Sequence, residues 1–262
     1  MNQNKYYVIN CFFPNWRQCI PKYTDVKYVA RQYKIPNRPD HKIILLDLND
    51  RMSYGWSDNA IFKMDNSNVE ILNNKCLFAK YMMEHFPENI PATISIRTQS
   101  IDYLNSNDST KMNRKMIEKD AVNYAGRGIS IIKTLKERRI NTVVSDYIDH
   151  NEYYSGHFLI YKGEILKNIF FRGSSTDPNL ILRGPITAYQ VVEPNDMQAD
   201  ISVFEKLFKD LNYSGFACPE FTIVDNKIVM FEINPRPGGS LIANEKYCKE
   251  FFQEIINRQI SD

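Results

Sequence analysis

Residues 229–240, VMFEINPRPGGS, set a carboxylate, an amide and a guanidinium at alternate positions: Glu232, Asn234 and Arg236. Side chains alternate across a strand, so these three are expected on one side and Phe231 and Ile233 on the other. Upstream, GFACPEFTIV carries Glu220, and Asp225-Asn226 between the two runs suits a tight hairpin turn. Antiparallel pairing about that turn brings positions near 220 opposite positions near 232. Glu220, Glu232 and Asn234 can then converge on one point. Three oxygen donors without Cys or His specify a hard cation, and Mg²⁺ suits a half-cage that leaves positions open for phosphate oxygens.

A second group lies near the middle of the chain. EKDAVNYAGRGISII places Lys119 at a strand end, then a polar loop, then Gly126-Arg127-Gly128 as the chain enters the next strand. Glycine lets backbone N–H groups approach an anion without a Cβ in the way, and the lysine adds a point charge for a phosphate oxygen. Neither GxxxxGK[ST] nor GxGxxG spacing is present, so this is not a P-loop or a dinucleotide fingerprint. Taken alone, the motif reads more readily as a solvated hairpin turn. Further on, VVSDYIDHNEYYSGHFLIYKGEIL is an apolar strand ending at Asp146-Tyr147-Ile148, a polar connection with Glu152, and a hairpin closed by Lys162-Gly163. His150 and His157 flank that hairpin as candidate general bases, against the plainer reading of surface histidines. Lys167, Arg172 and Arg183 are candidates for a phosphate or substrate carboxylate. Singly, Glu220 and Glu232 would be rim carboxylates and Arg236 a surface arginine; the joint spacing favours a site.

The elements that must position these groups fit a chain of 262 residues with 43% hydrophobic and 13% aromatic residues, enough to bury a sizeable core. The charge of +2 comes from 33 basic and 31 acidic side chains spread along the chain, so nucleic acid is not implied. No apolar run approaches the roughly 18–20 residues that span a bilayer, and the N-terminus lacks a signal-peptide pattern. A cytoplasmic setting is expected, without membrane association. The five cysteines are odd in number and widely spaced, which fits free thiols. Residues 1–70 read as a short αβ lobe, with strands at 6–12 and 43–48 and a helix near 25–33. A helix follows from Leu72, with Leu72, Cys76, Ala79 and Met83 on one face, ending before Pro87. Strands are expected near 115–118, 128–132, 142–148, 153–161, 164–171 and 187–192. A helix at 200–211, a hairpin around 225–226 and a closing helix at 242–256 complete an α+β protein with mostly antiparallel sheets.

This set, in this order, resembles the ATP-grasp superfamily of ADP-forming carboxylate–amine ligases, over about residues 70–256. The most specific parts are the lysine before Gly-Arg-Gly and the Glu…Glu-Ile-Asn-Pro-Arg end. The resemblance implies two α+β lobes clasping ATP, in an ATP-grasp domain at 71–262. Its lid lobe would span about 110–148 and its C-terminal metal-binding lobe about 149–262, after a reduced N-terminal lobe at 1–70. It implies that Lys75 and Lys119 contact ATP phosphates together with the Gly126, Arg127 and Gly128 loop. Asp146, Tyr147 and Ile148 would form the adenine hinge and Glu152 would hold the ribose. Glu220, Glu232 and Asn234 become ligands of Mg²⁺ or Mn²⁺, with Arg236 and Lys119 steadying an anionic intermediate. The loop departs from the family in Asn123-Tyr124-Ala125, where small residues are usual, and in Asp120 after the lysine. The implied substrates are a small carboxylate and an amine, such as an amino acid, peptide or sugar acid, and the chain could form a homodimer. An ATP-grasp kinase and a nucleotide-binding protein without turnover are the alternative readings.

Overall fold

Three sheets carry the architecture in a computed structural model that describes residues 4–9, 14–29, 35, 38–55, 57–63, 66–105, 115–122, 128–135, 139–150, 152–174 and 188–260. The first is parallel, with β1 (Lys5–Val8) between β2 (Lys27–Tyr28) and β3 (His41–Ile44), and β4 (Ala60–Ile61) outside β3. Parallel neighbours need crossovers, supplied by α1 (Pro14–Tyr23) and α2 (Leu48–Tyr54). The helix expected near 25–33 is therefore misplaced, since Lys27 and Tyr28 are in a strand; residues 30–34 lie outside the described ones. The polar composition of α1 and its internal Pro21 hide a buried stripe of Trp16 and Ile20. Thr24 closes that helix, its Oγ1 donating to Ile20 O at 2.6 Å.

The second sheet runs β6-β5-β9-β7-β8 and is antiparallel throughout. Its strands are β5 (Thr93–Arg97), β6 (Asp102–Leu104), β7 (Met116–Asp120), β8 (Ile129–Ile132) and β9 (Thr142–Asp146). It thus draws on residues upstream of 110 as well. The third sheet, also antiparallel, runs β12-β11-β10-β13-β14. It comprises β10 (Tyr153–Tyr161), β11 (Glu164–Ser174), β12 (Ala188–Val192), β13 (Gly215–Val224) and β14 (Lys227–Asn234). Asp225 and Asn226 both take positive φ, 50° and 60°, which the tight hairpin turn between β13 and β14 requires.

Both faces of the third sheet are packed with aromatic rings. On one, α5 (Ser202–Asp210) lays Phe204 and Phe208 against Phe158, Phe170 and Phe221. On the other, Phe251 and Phe252 of α7 (Glu245–Asn257) meet Phe216. Each such ring, fully buried, contributes about 1.5–3 kcal/mol of transfer free energy. The closing helix begins earlier than expected, as the short α6 (Gly239–Ile242), and restarts at α7. The helix expected from Leu72 is also two elements, α3 (Asn66–Asn73) and α4 (Lys75–His85).

The N-terminal lobe is anchored by Arg51 of α2. Buried at 3% exposure, it donates to Ser214 O at 2.9 Å and lies 5.5 Å from the centre of the Tyr213 ring. Gly215 makes room for it: a Cβ there, on a backbone already at φ +131°, would sit 2.0 Å from Arg51 Nη2. Among the described residues no helix is long and apolar enough to cross a membrane. Cys19, Cys76, Cys218 and Cys248 are free thiols, and Cys11 lies outside the described residues.

Candidate functional site

Cross-strand register sets Glu220 of β13 opposite Glu232 of β14, and Cys218 opposite Asn234. Asn234 Nδ2 donates to Glu232 Oε1 at 3.2 Å, and Arg236 Nη2 donates to Asn234 Oδ1 at 3.2 Å. Arg236 Nη1 donates to Pro237 O at 3.2 Å, and the guanidinium stands 5.9 Å from the centre of the Trp16 ring, which joins α1 to the site. Glu220, Glu232, Asn234 and Arg236 thus form one contiguous group.

Strict alternation fails at one residue. The register steps from Glu220 opposite Glu232 to Phe221 opposite Met230, leaving Phe231 as the extra residue of a β-bulge. Met230 and Ile233 both enter the core, whereas Phe231, expected on the side of Ile233, lines the cleft beside Lys75, Lys119 and Ser145. Bulging also frees the Phe231 carbonyl from the ladder, and Lys119 Nζ donates to it at 3.2 Å. The ammonium lies 5.3 Å from the centre of the Phe231 ring, and His150 packs against that ring at 5.0 Å.

Two lysines face the carboxylates. Asn74 breaks the helical run and caps α4, its side chain accepting from Cys76 N at 3.0 Å and Leu77 N at 3.3 Å. Lys75, first residue of that helix, reaches Glu232 Oε2 at 3.1 Å, with side-chain exposures of 12% and 19%. Lys119 comes from β7 in the second sheet, so the group spans the cleft between the second and third sheets. Burial pulls the Lys119 pKa below its ordinary value, and the charge of Glu232 opposes that shift. For Glu232, burial pushes upward, but Lys75 and Lys119 together outweigh it and hold the carboxyl below the usual range. Glu220 is pushed up to about 7 by burial and by the charge of Glu232, although the Tyr153 hydroxyl donates to it. Among the described residues no cluster of three or more His, Cys, Asp or Glu forms a metal cage. The donor set is two carboxylates and an amide.

The remaining expected positions divide. At the hinge, Asp146 N donates to Ala92 O at 2.9 Å and Tyr147 N to Lys115 O at 3.1 Å, while Lys115 Nζ stands 3.7 Å from the Tyr147 ring centre. Ile148 O is 2.8 Å from His150 Nδ1, so His150 ties the hinge rather than lying loose on the surface. Glu152 is not brought to the carboxylate group. It accepts from Tyr154 Oη at 2.6 Å, pairs with Arg172 at 3.1 Å, and lines a separate cavity of about 450 Å³ with Asp149, His150 and Thr222. Arg172 is engaged there and Lys167 pairs with Glu250 at 3.1 Å, which leaves neither facing the carboxylates. Gly128 adopts φ +67° at the start of β8, and its carbonyl accepts from Asp120 N at 2.9 Å. Gly126, Arg127 and Arg183 lie outside the described residues. His157 is not at the surface: it is 1% exposed beneath the Gly238–Ser240 turn, and burial, aided by Arg236, pushes its pKa down to about 3. Sequence reasoning missed Phe231, Tyr153 and Trp16. The alternation of β10 carried a signal for Tyr153, two positions before Ser155, which pairs with Glu220.

The family model of the ATP-grasp domain matches residues 72–240. A search of curated proteins returns no significant match. Among solved structures, the D-alanine–D-alanine ligase of Bacillus anthracis superposes with a TM-score of 0.64 at 14% identity, covering 97% of this chain and 96% of that one. The same ligase complexed with ATP gives a TM-score of 0.60 at 14% identity, with the same coverage. The L-amino acid ligase of Bacillus licheniformis gives 0.54 at 14% identity, covering 93% of this chain and 70% of that one. At these identities the likeness establishes the fold.

Proposed function

The chain belongs to the ATP-grasp family, and on that premise we propose that it is an ATP-dependent ligase. It activates a small carboxylate as an acylphosphate and joins it to an amine, releasing ADP and phosphate. The observation that carries this reading is the convergence of Glu220, Glu232, Asn234 and Arg236 from the third sheet on Lys119 from the second and Lys75 of α4. That the solved structures it resembles are named as ligases, one of them holding ATP, supports the choice of reaction.

The donor set fits Mg²⁺ or Mn²⁺. Glu220 and Glu232 lie directly opposite one another, burial and the charge of Glu232 hold Glu220 up to about 7, and all donors are oxygens. Glu220, Glu232 and Asn234 would hold the ion, which when bound offsets phosphate charge and orients the transferring group. Lys75 and Lys119 present positive charge to phosphate oxygens from a largely enclosed cleft, where charge is worth more than in water. Phe231 offers an apolar wall for the adenine beside the 146–148 hinge, whose Asp146 N, Tyr147 N and Ile148 O are already bonded within the protein. Glu152 would have to leave Arg172 and Tyr154 to reach a ribose. Arg236, on the far side of Asn234, faces the acyl centre, where a planar fork suits a carboxylate. The buried free thiols fit a cytoplasmic setting.

The deciding experiment is an ADP-release screen over carboxylate and amine mixtures with Mg²⁺, with mass spectrometry of products. Release of ADP and phosphate with a new amide is expected. A phosphorylated product without free phosphate would make the chain a kinase, and no ADP with any mixture would remove the ligase reading.

A further inference from the structure

Behind the acyl side of the site lies a polar network that the roles above do not use. His157 Nε2 is 2.8 Å from Ser240 Oγ and 3.3 Å from Ser155 Oγ, and Ser155 Oγ is 3.4 Å from Cys218 Sγ. The imidazole is clamped. Phe171 meets its ring edge-on at 5.4 Å, and a Cβ on Gly238 would fall 2.3 Å from His157 Cε1 and 2.6 Å from Cys218 Sγ. His157 Nδ1 is buried with no hydrogen-bond partner. A buried N–H left without an acceptor costs about 1–3 kcal/mol, whereas an unpaired ring lone pair is tolerated better, so the proton belongs on Nε2. Nε2–H then donates to Ser240 Oγ, and Ser155 donates to the Cys218 sulfur. With its oxygen accepting from His157, Ser240 must turn its own proton away from the imidazole. Its neighbour Gly239 borders open space, with nothing within 4 Å of a Cβ placed there.

We propose that His157 and Ser240 form a hydrogen-bonding subsite beside Arg236, in which the buried imidazole fixes the Ser240 hydroxyl as a donor for a substrate carboxylate oxygen. This rests on the ligase reading of the same site. His157 is a positioning residue: it touches no substrate and sets the direction of the one hydroxyl that does. Its neutrality is what the arrangement needs, since an imidazolium beside Arg236 would add a second buried cation, and burial together with the Arg236 charge keeps it neutral. Among the described residues the groups facing it are the Arg236 guanidinium and the Cys218 thiol, which burial pushes up to about 12. A hydroxyl held this way complements the guanidinium: Arg236 supplies charge, and Ser240 supplies the direction of approach.

Two measurements on the full chain test this. In ¹⁵N-histidine-labelled protein, with His157 assigned by its loss in His157→Gln, long-range ¹H–¹⁵N correlations should show the neutral Nε2–H tautomer at pH 7. A Nδ1–H tautomer or an imidazolium overturns the proposal. In steady-state kinetics with the acid and amine that give most ADP in the wild type, Ser240→Ala should raise KM for the acid roughly 10- to 100-fold, the range for a hydrogen bond to a charged group. KM for ATP should be unchanged, and Ser240→Thr should restore most of the loss. An unchanged acid KM, or equal loss in Ser240→Thr and Ser240→Ala, overturns the subsite. If the wild type releases no ADP with any acid, the ligase reading fails, and the tautomer alone decides whether His157 holds Ser240 as a donor.

Discussion

Replacing Glu232 by Gln keeps the shape and the hydrogen bond with Asn234 but removes the charge that answers Lys75 at 3.1 Å and, ahead of Glu220, tempers the burial of Lys119. Removing one partner of a buried pair costs about 3–5 kcal/mol, because the other charge remains desolvated. Some of that is returned here. Glu220 is held up to about 7 partly by the charge of Glu232, so its loss lets Glu220 ionise more easily and take over some of the compensation. The expected net loss is about 2–4 kcal/mol. For a chain of 262 residues that is roughly 4–16 °C in Tm, at about 2–4 °C per kcal/mol. Urea unfolding should show a lower midpoint with unchanged slope. Millimolar ATP should stabilise the wild type further when Mg²⁺ is added, by about 2.7 kcal/mol at a hundredfold excess over Kd, and Glu232→Gln should lose the Mg²⁺-dependent part. A destabilisation below about 1 kcal/mol would show that Glu232 does not neutralise the lysines. An unchanged Mg²⁺ increment would take it out of the metal site.

Three other perturbations follow from the same geometry. Because the folded pKa of His157 is about 3 against 6.5 in the unfolded chain, the unfolded state binds more protons between those values, so stability falls as pH drops through that window. Urea melts of the wild type should lose about 2 kcal/mol more than His157→Gln between pH 7 and pH 5, and identical pH slopes would contradict the burial argument. Gly238→Ala should cost about 1–3 kcal/mol by forcing a methyl group onto His157 and Cys218, measured by thermal melting; a neutral result would mean the turn has room to shift. Arg236→Lys should lower turnover about 10²- to 10³-fold while leaving ATP affinity nearly unchanged, since one ammonium cannot span Asn234 Oδ1 and Pro237 O together, and near-wild-type turnover would refute the fork.

What the sequence disclosed about the site follows from range. Glu220, Glu232, Asn234 and the 225–226 turn lie within one hairpin, where turn chemistry and a period of two fix which residues meet, and they do meet. The bulge at Phe231 was not legible, because MFEIN alternates well enough on paper and only the fit against β13 inserts the extra residue. His157 alternates with Ser155 and so was assignable to a face, but its burial depends on Gly238 arriving from 81 positions further along the chain. Trp16 carried no signal at all, since its partner Arg236 is 220 positions away and its helix holds Pro21 and a polar surround. Strands β5 and β6 escaped for a different reason. In β5 the residues TISIR do alternate, but over only five positions, and Thr93 and Ser95 are buried at 6% and 2%, so the polar face that would mark the strand is covered; β6 has three residues and is too short for a period to show.

Packing is uneven across the cleft, and that bears on how the site can close. The third sheet is held on both faces by interlocking rings and tied to the N-terminal lobe by Arg51, so Glu220, Glu232, Asn234 and Arg236 stand on a stiff platform. The second sheet has a thinner core of small and aliphatic side chains, such as Ala79, Ile96, Ala121 and Val143. It meets the platform through Lys119, whose Nζ bonds the Phe231 carbonyl, while Asp146 N and Tyr147 N bond back to Ala92 O and Lys115 O beside its own strands. A hydrogen bond from a buried ammonium to a neutral carbonyl is weaker than one to an anionic oxygen. On the proposed function, an incoming phosphate would therefore compete well for Lys119 and replace its bond to the Phe231 carbonyl with a stronger one. On this reasoning Lys119 would exchange its partner while the carboxylate platform stays in place.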